Sequence, residues 1–149
     1  MTLMGYVLDL RQKLGQQPLI VAGAAAIVQQ DQRLLLVERT DNHLWGLPAG
    51  SKELNEDLAT TARRELREET GLDGVQPQLL TVVSSANMQY TYPNGDQIDS
   101  VTAVYALQVT GQALPDHDET SATDWFGLDD LPTKLTPLTR EILTRLKLN

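Results

Sequence analysis

From residue 18 onward the chain alternates between apolar runs and stretches with helical spacing, the pattern of an α/β protein. The run LIVAGAAAIVQQ (19–30) is apolar and in parts β-branched. RLLLVER (33–39) follows it across a two-residue polar break, so the pair predicts a hairpin. A loop containing Gly and Pro, LWGLPAGSKELNE (44–56), leads into a helix predicted over 57–70, and Gly71 supplies the usual stop. Two long strands are predicted at QLLTVVSSANMQYTY (78–92) and DSVTAVYALQVTG (99–111), around the turn PNGD. TDWFGL (123–128) reads as a short strand. The segment 136–148 reads as a closing helix, with Thr136 as N-cap, Pro137 in the first helical position, and Leu138, Ile142 and Leu146 on one face. At the front, Leu3, Val7, Leu10 and Leu14 predict a short amphipathic helix over about 3–15, whose leucines also offer a dimer contact. No repeat or linker divides the chain, so a single domain over 1–149 is expected.

Composition narrows the function classes. At 149 residues, 41% hydrophobic and 21% charged, the chain is of globular type with a core large enough to fold alone. No apolar run approaches the ~18 residues of a membrane span. The first residues carry Asp9 and Arg11 where a signal peptide would be apolar, so the expected location is cytoplasmic. Cysteine is absent, which removes disulfides, thiolate nucleophiles and zinc-thiolate sites and suits a reducing compartment. A formal net charge of −8 argues against coating DNA or RNA, where neutralising phosphates with Lys and Arg dominates. Handling a phosphate through a divalent cation remains open.

The stretch RRELREET (63–70) carries three glutamates and three arginines. Placed at ~100° per residue with Leu58 at zero, Ala62, Leu66 and Ala59 fall at ~40°, ~80° and ~100° and define the buried stripe. Glu65 and Glu69 fall at ~340° and ~20°, beside that stripe, and Glu68 at ~280°. Arg63, Arg67 and Arg64 take the outer face at ~140°, ~180° and ~240°. Carboxylates drawn toward an apolar wall cost several kcal/mol each unless compensated. On the helix alone two readings stand: the glutamates border the core and reach out to water, or they hold a hard divalent cation.

The upstream loop adds the decisive pattern. AGSKELNEDLATTARRELREETGL (49–72) carries Gly50, Glu56, Arg64, Glu65, Leu66, Glu68, Glu69, Gly71 and Leu72 in the spacing G-x5-E-x7-R-E-U-x-E-E-x-G-U, with U aliphatic, and WGLPAG (45–50) approaches it. Nine specified positions at fixed spacing lie far beyond chance, and over nearly its whole length the chain resembles a Nudix hydrolase. The resemblance implies an α/β/α sandwich with a mixed β-sheet and the 57–70 helix packed on it. It further implies hydrolysis of a nucleoside diphosphate linked to another moiety (a nucleoside triphosphate, nucleotide sugar or dinucleoside polyphosphate) with Mg²⁺ or Mn²⁺ as cofactor. Carried over, Glu65, Glu68 and Glu69 are metal ligands, one of them serving the attacking water. Arg64 joins the catalytic set, and the carbonyl of Ala49 is a further ligand. Glu56 and Arg64 brace the loop, with Glu53 either beside them, in the metal shell or exposed. Glu119, with Asp118 behind it, is the candidate for a late metal-binding or basic carboxylate, against the alternative of an acidic surface loop; His117 shares that loop. Ala49 stands where glycine is usual, which strains the loop if φ is positive there. Asn55 also replaces a usual glycine and tolerates the left-handed region.

Substrate signals are thinner. Trp45, Tyr90, Tyr92, Trp125 and Phe126 are the aromatic candidates, Trp45 and the two tyrosines foremost, the tyrosines alternating onto one face of a strand. The family's ADP-ribose type has a proline about sixteen residues after the box, absent here; its dinucleoside polyphosphate type has a tyrosine near the position of Tyr90. The expected partner is a nucleotide-type small molecule. The rival from another class is a ligand-sensing Nudix domain that binds without cleaving, and such domains often lose box glutamates that this chain keeps.

Overall fold

A helix, Tyr6–Leu14 (α1), precedes a strand of small residues, Leu19–Ile27 (β1), whose short side chains set how closely other elements can pack on it. The chain continues through Gln29–Gln30 (β2), Arg33–Arg39 (β3), Trp45–Gly46 (β4) and Ala49–Ser51 (β5) into a helix, Leu58–Thr70 (α2). Then come Asp73–Val83 (β6), a 3-10 turn at Ala86–Met88, Gln89–Thr91 (β7), Gln97–Thr110 (β8), Thr120–Gly127 (β9) and a last helix, Pro137–Leu146 (α3). The structure is a computed structural model and describes residues 5–110 and 120–148.

From Gly23 to Ile27, β1 is covered on both faces. Ala24 and Ala26 pack with Ala62 and Leu66 of α2, while Ala25 and Ile27 pack with Ile142 and Leu143 of α3. Alanines here let both helices approach the sheet closely, which is how an apolar run without alternation becomes a central strand. The first sheet runs β5-β1-β8-β6, with β7 also on β8; β1 and β8 are parallel and the other pairs antiparallel. The second runs β2-β3-β4 with β9 on β3. The expected sandwich of helices about a mixed sheet is what the chain forms. Among the described residues no helix is long and apolar enough to cross a membrane.

Helix α2 starts and stops where its sequence signals lie. Asp57 caps it, its carboxylate accepting from Thr60 N at 2.8 Å, and Gly71 ends it at φ 78 with its N–H donating to Arg67 O. Thr136 caps α3 by accepting from Thr139 N, with Pro137 next in the chain. Three expectations need correction. The hairpin is confined to β2 and β3, around Asp31 and Gln32 at φ 52 and 62, because β1 leaves for the other sheet, where it finds a neighbour at each edge. The strand expected over 78–92 begins earlier, at Asp73, and is broken by the 3-10 turn, where Ser85 Oγ accepts from Asn87 N and so offers the backbone a local alternative. Helix α1 turns Val7 and Leu10 toward β1 as expected, but it also buries Arg11 and leaves Leu14, the last residue of the expected face, exposed; Leu3 lies outside the described residues.

Candidate active site

The antiparallel pairing of β5 with β1, Ala49 opposite Ala25 and Gly50 opposite Ala24, lays the loop after β4 along the inner side of α2. There Glu65 and Glu69 sit one turn apart, only 8% and 7% exposed. Ala49 N donates to Glu69 Oε2 at 3.2 Å. Gly50 lies so close to Glu65 that a Cβ on it would stand 2.2 Å from Oε1, so only a residue without a side chain lets the strand rest on that carboxylate. Glu68 is on the rim, its side chain 52% exposed. The helical wheel therefore places all three carboxylates correctly.

Arg64 departs from the wheel. Its side chain curls back and is half-buried, with Nε donating to Glu56 Oε2 (2.7 Å), Nη1 to Glu65 Oε1 (2.9 Å) and Glu68 Oε2 (3.3 Å), and Nη2 to Ser51 O (2.9 Å). One guanidinium is thus shared by three carboxylates and a loop carbonyl. The Arg64 hydrogen bonds lead in holding the Glu56 carboxyl down at about 2, against the effect of burial, with Thr61 Oγ1 (2.7 Å) and the N–H of Glu53 (3.1 Å) also donating to it. Glu56 in turn raises the pKa of Arg64, so the guanidinium stays charged throughout. Arg63 and Arg67 remain on the outer face. Glu53 points away from the α2 carboxylates and accepts from Tyr6 N at 2.8 Å. Ala49 is in a strand and shows no positive φ, so the strain considered for it does not arise; Asn55 takes the left-handed conformation, φ 66.

The donor set available near Glu65 and Glu69 is all oxygen, carboxylates plus the backbone of β5, which suits a hard divalent cation. The arginine already spread over three carboxylates leaves negative charge in excess around it, and that charge is what a cation would meet. Among the described residues no three acidic or histidine side chains are gathered into a ready cage. Glu119, Asp118 and His117 lie outside the described residues.

A cavity of about 110 Å³ opens beside this cluster. Glu69, Ala49 and Gly50 line one end, and Tyr90, Tyr92 and Arg39 the other. The tyrosine rings meet edge to face, 4.8 Å apart, and the Arg39 guanidinium stands 5.3 Å above Tyr92. Asp41 holds Arg39 by two bonds, 2.9 and 2.7 Å, and Asn42 Nδ2 donates to Tyr90 Oη at 2.5 Å. Burial works against the Arg39 charge, yet Asp41 outweighs it and raises the pKa of the guanidinium. Ser100 and Thr102 share a hydroxyl contact of 2.6 Å on the cavity wall. Trp45 does not line the cavity: it packs edge to face on Phe126 at 4.9 Å, in the core under α3. Sequence reasoning passed over Arg39, Ser100 and Thr102. A lone arginine ending a buried strand, and two hydroxyls at period two in another, were the available signals.

Known proteins are similar to this chain in sequence and fold. The family described as NUDIX domain matches residues 18–146. Over 109 residues the chain is 34% identical to the ADP-ribose pyrophosphatase of Methanocaldococcus jannaschii, a match covering 71% of this chain and 61% of that protein, so it spans about three fifths of the relative. It is 32% identical over 115 residues to the MutT-like protein of Streptomyces ambofaciens, covering 77% of this chain and 68% of that one. The crystal structure of a MutT NUDIX hydrolase from Burkholderia pseudomallei superposes with a TM-score of 0.72 at 32% identity, over 86% of this chain and 98% of that one.

Proposed function

This chain belongs to the NUDIX family of hydrolases, and on that premise we propose that it cleaves a phosphoanhydride bond in a nucleoside diphosphate linked to another moiety, with Mg²⁺ as the working ion and Mn²⁺ as a substitute. The observation that carries the proposal is the burial of Glu65 and Glu69 side by side against β5, beside a cavity large enough to admit part of a substrate.

A divalent cation held by Glu65, Glu68, Glu69 and the carbonyl of Ala49 would screen phosphate charge and acidify a water molecule. The protein's own groups do the rest. Arg64 ties Glu65 and Glu68 to the preceding segment through Glu56 and Ser51, which holds the buried Glu65 and the rim Glu68 in one arrangement. Ala49 N–H orients Glu69 by donating to one of its oxygens. A glutamate of this set accepts the proton of the attacking water, and Glu119 is the further candidate base. At the far end, Tyr92 presents a ring face beneath a charged guanidinium, a surface suited to a base or a phosphate-bearing moiety.

The relative named for ADP-ribose and the missing proline after the box point in opposite directions, so the reading stops at the bond and the nucleotide class. A sensing domain is the second reading, and the complete set of box residues favours the enzyme. The test is a screen of nucleoside triphosphates, nucleotide sugars and dinucleoside polyphosphates with Mg²⁺, assayed for released phosphate, pyrophosphate or monophosphate. The enzyme reading expects one class to turn over and to stop on chelation. Tight nucleotide binding without turnover of any class establishes the sensing reading instead.

A further inference from the structure

Helix α1 lies ahead of residues 18–146, yet it is tied at its start to the loop before α2 and at its end to the segment joining β7 and β8. At its start, Tyr6 N donates to Glu53 Oε1 at 2.8 Å, and Gly5 lies so close to that carboxylate that a Cβ would meet Oε2 at 2.7 Å. Glu53 then exchanges two bonds with Glu56: its N–H donates to Oε1 (3.1 Å) and its carbonyl accepts from Glu56 N (3.2 Å). Glu56 is the carboxylate that grips Arg64. A continuous chain of hydrogen bonds therefore runs from the first turn of α1 to the guanidinium among the α2 carboxylates.

The other end of α1 is fastened by Arg11, which is 8% exposed. Its guanidinium donates to the carbonyls of Gly15 (3.0 Å), Gln17 (2.5 Å) and Gln97 and lies 4.0 Å from Asp96. Gln16 Nε2 donates to Asn94 O at 2.5 Å. Asn94 and Asp96 belong to the connection between β7 and β8, Gln97 opens β8, and Tyr92 N donates to Asp96 O at 2.8 Å. The connection held by Arg11 thus adjoins the strand that carries Tyr90.

Between these anchors Val7 of α1 packs on the cluster of Val21, Tyr90 and Ile98. A gap of about 240 Å³ separates it from β1 and the loop after β5, lined by Val7, Leu10, Ile20 and Leu54. Ile20 is 80% exposed. The polar ties at the two ends add to this packing in setting where the helix sits, and a buried guanidinium deprived of its carbonyls would cost far more than a surface one.

We propose that α1 is a strap that positions the two halves of the site separately, Arg11 setting the aromatic end through the β7–β8 connection and Glu53 setting the carboxylate end through Glu56. Its kinetic consequence rests on the reading under Proposed function; its structural consequence does not. Arg11→Ala is expected to raise KM about tenfold and leave kcat within about twofold, because the reacting groups keep their places. Glu53→Ala, which cuts the tie to Tyr6 N but keeps the backbone bonds to Glu56, is expected to do the reverse, lowering kcat about threefold with KM little changed. Amide hydrogen exchange in the Arg11→Ala protein should quicken about tenfold or more over 89–97 and stay unchanged over 24–27. Unchanged exchange over 89–97, or KM and kcat moving together in both variants, would overturn the strap. If the wild type hydrolyses no nucleotide, the functional reading falls, and exchange alone decides whether α1 holds that connection.

Discussion

At the scale of single residues, the site depends on how closely backbone and carboxylate meet. Gly50→Ala would put a methyl group 2.2 Å from Glu65 Oε1, and the flexible end of Glu65 is what must yield. Thermal melting near wild type with kcat lowered about a hundredfold is the expected result, since a displacement of about 1 Å suffices for that loss. Glu69→Gln should leave the fold intact, or steadier without metal, because it removes a buried charge, while hydrolysis falls by orders of magnitude. Arg64→Ala leaves three carboxylates without their shared partner and should cost roughly 2–4 kcal/mol in denaturant unfolding. Helical periodicity made the inward turn of Glu65 and Glu69 legible in the sequence. It could not show Arg64 turning inward, because the wheel gives the direction of a Cβ and not the reach of a long side chain.

At the scale of elements, legibility followed the range of the signals. Helix α2 was readable to within a residue because Asp57 and Gly71 act on their own neighbours. The partners of β1 were not, since a strand buried on both faces carries no mark of which edges it will meet. The 3-10 turn at Ala86–Met88 escaped for a related reason: the serines that precede it, Ser84 and Ser85, lie inside an otherwise strand-like stretch. The loop before α2 carries a titration of its own. The Glu56 carboxyl is held at about 2 against an ordinary 4.5, so its contribution to stability is complete above pH 4.5 and is lost as pH falls toward about 2. Melting temperature measured across that interval should fall more steeply for the wild type than for Glu56→Gln; parallel curves would remove Glu56 from the brace.

At the scale of the whole molecule, a chain of net charge −8 places two buried carboxylates beside the cavity where its substrate is proposed to bind. A bound cation relieves that conflict, and a ligand that binds only the folded state stabilises it by mass action. Mg²⁺ should therefore raise the melting temperature, and a chelator should lower it and abolish hydrolysis until Mg²⁺ is restored. If Glu65 and Glu69 are turned inward to hold a divalent ion, uptake of that ion must depend on both. Titrating Mn²⁺ and following the free ion by electron paramagnetic resonance tests it without any choice of substrate. The account predicts stoichiometric uptake by the wild type and affinity weakened about tenfold or more in Glu65→Gln and in Glu69→Gln. Equal uptake by all three proteins would contradict it, as would no uptake by the wild type.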